Sequence, residues 1–395
     1  MAERIGNLGY FGLIKEAAVG TALTPTDYIP LYKESMSTLL NLVPDTPIFG
    51  NKFDRYQVLQ GQRSHTGTVE LMAEPNTMGR IVDMVLTQGA ASGAGPYTHP
   101  YTLGASSASY TVDISTGNVV SRYYGVQGYD FNPAWDKNEM RMNLSISALG
   151  SFQGREIATV VTTTLTLKTD YDPVPNKGLV IGDLVRIYKA STGATLDTSI
   201  LTVNADGITI TLNASAAAFA PGDFIFLRPA TPSLTLQTPF LWAKTIIGFG
   251  ATASAALTNA TYPLQTRLEQ GSTWNIVHKF ENNNGADRSG GFDPAALIRT
   301  VGDITFKAKK FFDTPEDLEN YNSLAKNAVV IRHLAGATNQ YELRITINHI
   351  KTDGKVVPDL QAGSVNYSDI SFIAQYDNTD GQAFDVKVIN NLPTV

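Results

Sequence analysis

Apolar and polar positions alternate along much of this chain. From Asn138 to Ser147, Met140, Met142, Leu144 and Ile146 alternate with Glu139, Arg141, Asn143 and Ser145. A period of two puts the first set on a buried face and the second on a wet one. Gln340 to Asn348 repeats the pattern, with Tyr341, Leu343, Ile345 and Ile347 inward and Glu342, Arg344, Thr346 and Asn348 outward. Both wet faces share an E-x-R order.

That match points to a duplication. A strand opens at Gly67 and a short helix pattern follows, from about Thr77 to Leu86. A second strand opens at Gly302, and a helix pattern runs from Pro315 to Ala325. Thr314 suits its N-cap, and Glu316 and Asp317 suit its first turn. Within the first copy lies a stretch with its own rhythm. Strand-like runs such as ATVVTTTLTL, DLVRIYKA and DFIFLRP are separated by turn signals at 181–183, 191–193, 205–207 and 221–223. Five short strands so close together predict a small closed barrel or sandwich, since closure hides their edges. The expected fold is mainly β. Residues 1–154 begin a first β-sandwich unit, 155–232 form an inserted β-domain, 233–262 end the first unit, and 263–395 form a second. Each unit carries a short flanking helix. The segments up to Pro30 and from Pro44 to Gln62 read as loops able to reach a neighbour.

Composition narrows the chemistry. Over 395 residues, 43% are hydrophobic, enough for a sizeable core. The net charge of −6 carries no basic excess for gripping phosphate. With no cysteine, disulfides, thiolate metal sites and thiol nucleophiles are excluded. The opening segment does not read as a secretory leader, and Lys244 interrupts the most apolar window, Pro239 to Leu257. Nucleophile-elbow, zinc-protease and phosphate-loop motifs are absent. The stretch 89–95 reads as a connector, 281–293 as a turn-rich loop and 377–381 as a hairpin turn. Trp135, Trp242 and Trp274 read as core anchors. No catalytic residue, cofactor or metal is expected.

The combination Lys15-Glu16, Gly20-Thr21, Thr24-Pro25 and Tyr28-x-Pro30 resembles the start of tail tube proteins of long-tailed, non-contractile bacteriophages. The run GQRSHTGTVELMAEPNTMGRIVDMVL and the series ITFKAKKF, YELRITINHI, DISFIAQYDN and AFDVKVINN resemble the same family. The likeness spans roughly 10–150 and 235–395 and leaves out the insert. It implies a structural virion protein whose β-sandwich units stack as rings into a tube that conducts DNA. Two fused units imply a three-membered ring with pseudo-sixfold symmetry, with a six-membered ring as the alternative. An Ig-like or barrel insert would decorate the outside. Implied partners are further copies, a tape measure protein, and terminator or tip proteins, in a virion tail assembled in the host cytoplasm. Glu139, Arg141, Asn143, Ser145, Glu342, Arg344, Thr346 and Asn348 are the candidates for the lumen, unless they face outer solvent. Their arginines could pair with carboxylates on adjacent strands. The rival expectations are a tail-associated β-domain adhesin and a β-rich glycan hydrolase.

Overall fold

The computed structural model describes residues 9–45, 57–104, 107–169, 174–232, 237–260, 272–280, 293–294, 296–311, 319, 327–353 and 367–394. The chain opens with β1 (Tyr10–Lys15), β2 (Asp27–Ile29), β3 (Leu31–Glu34), β4 (Ser37–Asp45) and β5 (Gln57–Met72). After helix α1 (Pro75–Val85) come β6 (Thr87–Gln88), β7 (Tyr97–Thr102), β8 (Tyr110–Ser115), β9 (Val120–Asp136), β10 (Glu139–Ala148) and β11 (Gly150–Phe152). Next are β12 (Arg155–Val161), β13 (Thr164–Leu167), β14 (Leu184–Tyr188), β15 (Thr195–Val203), β16 (Thr209–Leu212) and β17 (Phe224–Leu227). The last part holds β18 (Thr245–Gly250), α2 (Ala253–Asn259), β19 (Thr273–Phe280), β20 (Arg299–Phe311), β21 (Asn327–Ala335), β22 (Tyr341–Asp353), β23 (Tyr367–Ala374) and β24 (Phe384–Asn390).

One antiparallel sheet runs in the order β4, β5, β10, β9, β19, β20, β23 and the end of β22. It contains the same arrangement twice. β4–β5–β10–β9 and β19–β20–β23–β22 have matching strand directions, and in each the fourth strand precedes the third in sequence. The correspondence continues outside this sheet. β8 pairs with the first part of β9 and β1 with β8, as β21 pairs with β22 and β18 with β21. β11 and β24 take corresponding places beside β9 and β22. Segment 233–262, expected to end the first unit, thus contributes β18, which pairs with β21 in the second half. The E-x-R match is not the structural one: β10 corresponds to β23, and β22 to β9.

One core serves both halves. Met142, Leu144, Ile304, Phe306, Leu343 and Val386 belong to a single apolar cluster with α1. α1 starts at Pro75, whose missing N–H costs nothing in the first turn. Its residues Met78, Ile81, Val82, Met84 and Val85 are fully buried. Arg299 reaches over from β20 and donates to the carbonyls of Val85 (2.9 Å), Met84 (2.7 Å) and Gly128 (2.6 Å), satisfying groups at the helix end. Trp274 is buried and donates to His333 at 3.0 Å, while Trp135 and Trp242 meet edge-on at 5.2 Å. Of the three expected core anchors only Trp274 is buried; Trp135 and Trp242 are half-buried and pack on each other.

The insert closes into a six-stranded barrel, β12–β13–β16–β15–β14–β17 and back to β12. The run ATVVTTTLTL, read as one strand, is two strands joined at Thr162, which turns with φ of 50°. Its threonines give no turn signal, so the hairpin is invisible in composition. The turn at 181–183 places Gly182 at φ 91°, a conformation that a side chain would strain.

Several expectations change. The first 30 residues hold β1, whose Phe11 and Leu13 face the main core while Tyr10 packs on the barrel. Burial on both faces hides its period. The loop expected from Pro44 to Gln62 is strand at both ends, and 46–56 lie outside the described residues. So do the helix expected over 315–325, save Glu319, and the loop 281–293, save Asp293. α2 was not anticipated; Thr252 caps it by accepting from Ala255 N–H. Among the described residues no helix is long and apolar enough to cross a membrane.

Candidate functional site

The outer face of the long sheet is a polar surface. Glu70, Asn143 and Asn132 stand in register across β5, β10 and β9, with Lys33 beside Glu70 on β3. On the far half, Asn275, Thr305, Ile373 and Lys351 stand in register across β19, β20, β23 and β22. Asn143 donates to Asn132 at 3.2 Å. Half-burial lifts the Asp130 carboxyl above its usual range, opposed by bonds with Asn132 and Asn275. A groove of about 440 Å³ opens here, lined by Lys33, Thr68, Glu70, Asn132, Asn143 and Ser145. Among the described residues charges of both signs are interspersed on this face, Lys33 and Arg141 with Glu70 and Asp136, and Lys307 and Lys309 with Asp303.

Of the sequence candidates, Glu139, Arg141, Asn143 and Ser145 lie on this face. Arg141 donates to Glu70 on β5 at 3.0 Å and pairs with Asp136 on β9. Its guanidinium sits 3.8 Å from the Tyr32 ring centre, and the Tyr32 hydroxyl donates to Glu139 at 2.7 Å. The expected pairing of this arginine with adjacent strands is therefore present.

Glu342, Arg344, Thr346 and Asn348 lie elsewhere, on the part of β22 between β21 and β24. They do alternate with buried Leu343, Ile345 and Ile347. Yet Glu342, Thr346 and Asn348 are themselves buried. Glu342 accepts from Arg344 (2.6 Å) and from Arg332 (2.8 Å). Burial opposes its ionisation, but the two guanidiniums outweigh that and hold the carboxyl below its usual range. Period two reports opposite faces, not which face meets water; over this stretch of β22 most side chains of both faces are buried.

Sequence reasoning missed two features. The first is a two-stranded ribbon. β10 pairs with β5 from His65 to Met72, so among the described residues Gln57–Ser64 continues paired with β4 alone. Leu39, Leu40, Leu42, Val58 and Leu59 on it are each about half exposed, between 49% and 58%. At its base Thr38 Oγ1 lies 2.9 Å from His65 Nδ1, and His65 Nε2 lies 3.1 Å from Asp293 Oδ1. The order resembles a nucleophile–base–acid relay. Here the imidazole is 1% exposed, and Arg63 holds Asp293 at 3.0 Å, so the chain of bonds ties the ribbon to the second half.

The second is the barrel seat. Arg122 on β9 donates to Asp113 on β8 at 2.7 Å and to Asp183 of the barrel at 2.6 Å. Thr24 also donates to Asp183, at 2.8 Å. The barrel is thus fixed to the first half by a buried ion triad. The turn signal at 181–183 marked Asp183, but nothing in sequence connects it to Arg122.

Among the described residues no cluster of histidine and carboxylate side chains is arranged to hold a metal. No protein-family profile matches this sequence, and no curated protein does either.

Proposed function

We propose that the chain is a subunit of the tail tube of a long-tailed, non-contractile bacteriophage. The observation that carries this is the β4–β5 ribbon. An isolated two-stranded ribbon is marginal in water, and this one exposes leucines along an unpaired edge strand. Such an element belongs against another chain. The doubled strand order supports two fused tail-tube units, hence a three-membered ring. Repeated contacts of this kind build rings and then filaments. In this reading the amide-rich face, with Glu139, Arg141, Asn143 and Ser145, lines the channel. Its mixed charges let DNA pass without tight binding. The barrel sits outside, and further partners are a tape measure protein and the tail's terminator or tip proteins.

The test is electron microscopy of the purified chain at high concentration, beside the double variant Leu40→Lys/Leu42→Lys. End-on views with threefold symmetry, lost in a variant that keeps its circular dichroism, are the expected result. Sixfold rings would retain the function and remove the fused-unit reading. A wild-type chain that stays monodisperse and sediments like the variant at every concentration would sink the proposal.

A further inference from the structure

The seat filled by the barrel on the first half has an open counterpart on the second. By the strand correspondence, β9 and β11 match β22 and β24. The barrel covers the outer side of the first pair, where Phe152 of β11 joins the barrel's apolar cluster. Over the second pair lies a groove of about 310 Å³, walled by α2 and by the turn before β24. Leu257 and Val330 give it an apolar side. Arg344, Thr346, Asn348, Gln382, Asp385 and Lys387 give it a polar one.

One of these polar side chains is buried with hydrogen-bonding capacity to spare. Thr346 is 8% exposed and lines the groove. Asp385 is 9% exposed; its Oδ2 makes no hydrogen bond, and the Lys387 ammonium stands 3.6 Å away. The two residues sit directly opposite each other across β22 and β24. Buried polar groups ordinarily find partners, so the spare Asp385 oxygen marks a place built for one.

Charge decides the ligand class. Arg344 is taken up by Glu342, Lys387 is set against Asp385, and Asp380 adds a further carboxylate at the rim. A lining so balanced offers neither a bare phosphate nor a metal ion an advantage. It does present acceptors, amides and cationic donors close together, which suits a ligand bearing several hydroxyls. We infer that this groove is a binding site for a neutral polyhydroxylated ligand, one saccharide unit of a glycan. The volume lies at the lower end of small-molecule pockets, about right for a single ring. Sites that hydrogen-bond a hydroxyl through otherwise unpaired buried groups are selective, because a ligand lacking it leaves them unsatisfied. The site does not depend on the tube proposal.

The test is saturation-transfer NMR on the whole chain with D-glucose, N-acetylglucosamine, inorganic phosphate and acetate as separate probes. Saturable binding of at least one sugar is expected, weakened about tenfold or more in Asp385→Asn and abolished in Thr346→Trp, which fills the groove. Gln382→Ala, at the less buried rim, provides a second variant with little risk to folding and should weaken binding severalfold. Unchanged binding in all three variants would overturn the assignment. So would saturable binding of phosphate or acetate with none of either sugar, or binding of no probe at all.

Discussion

At the scale of single residues, buried charge sets the most specific expectations. Arg122 is 1% exposed and pairs with Asp113 and Asp183 at once. Replacing it by alanine strands two buried carboxylates, and removing one partner of a buried pair typically costs about 3–5 kcal/mol. Urea unfolding of Arg122→Ala should register a loss of that order; a change under about 1 kcal/mol would show that water reaches the seat. His333 gives a pH dependence. Its Nε2 accepts from Trp274, so Nδ1–H donates to Thr245, and desolvation holds the imidazole down to about 3 from 6.5. Between those values the unfolded chain binds a proton that the folded chain refuses. Stability therefore falls as pH drops from about 6.5 towards 3, by up to about 1.4 kcal/mol per unit from this group. In His333→Gln that part of the slope should vanish. An acid limb as steep as wild type in urea midpoints at pH 7 and pH 4 would assign it to other groups.

At the scale of elements, the strands were legible where one face is buried and the other wet. β10 is the clear case, with Met140 to Ile146 buried in alternation. Legibility failed where burial is two-sided. β1 reads as an apolar run because Phe11 faces the core and Tyr10 faces the barrel, and β22 looks amphipathic although Thr346 and Asn348 are covered. The candidate site was half legible for the same reason: Glu139 to Ser145 share the open face, while the second quartet lies outside it. Two consequences are testable. Deleting residues 1–30 removes β1, which pairs with both β2 and β8, so the subunit itself should fail to fold rather than merely lose contacts to neighbours. A soluble deletion with wild-type circular dichroism would refute that. β9 passes from the β8 ladder to the β10 ladder through Gly125, with φ of 63° and N–H bonded to Glu16 at 2.8 Å. A Cβ there would stand 2.7 Å from the Leu149 side chain. Gly125→Ala should cost about 1–3 kcal/mol from the backbone conformation alone, read by thermal unfolding.

At the scale of the whole molecule, the barrel is neither an extension of the host sheet nor a loose appendage. Its ladder closes on itself, and a single residue pair, Leu227 with Val120, joins it to β9. Its attachment is made by side chains: the Arg122 triad, Thr24 on Asp183, and the Tyr10 hydroxyl accepting from Ala230 N–H at 3.0 Å. These contacts lie on β1, β8, β9 and Thr24 of the first half rather than on the exposed leucines of the ribbon, although Lys177 of the insert acts on Asp293 at the ribbon's base. Replacing 155–232 by a short Gly/Ser bridge should therefore spare any assembly driven by the ribbon. It should still lower subunit stability, because Arg122 keeps Asp113 but loses Asp183, and Phe152 and Tyr10 lose their apolar cover. The two measurements are separable: rings or tubes by microscopy, and the unfolding midpoint of the dissociated subunit. Intact assembly with a lowered midpoint is the expected outcome. Loss of assembly in a folded, bridged subunit would instead place the barrel within the contacts that hold neighbouring copies together.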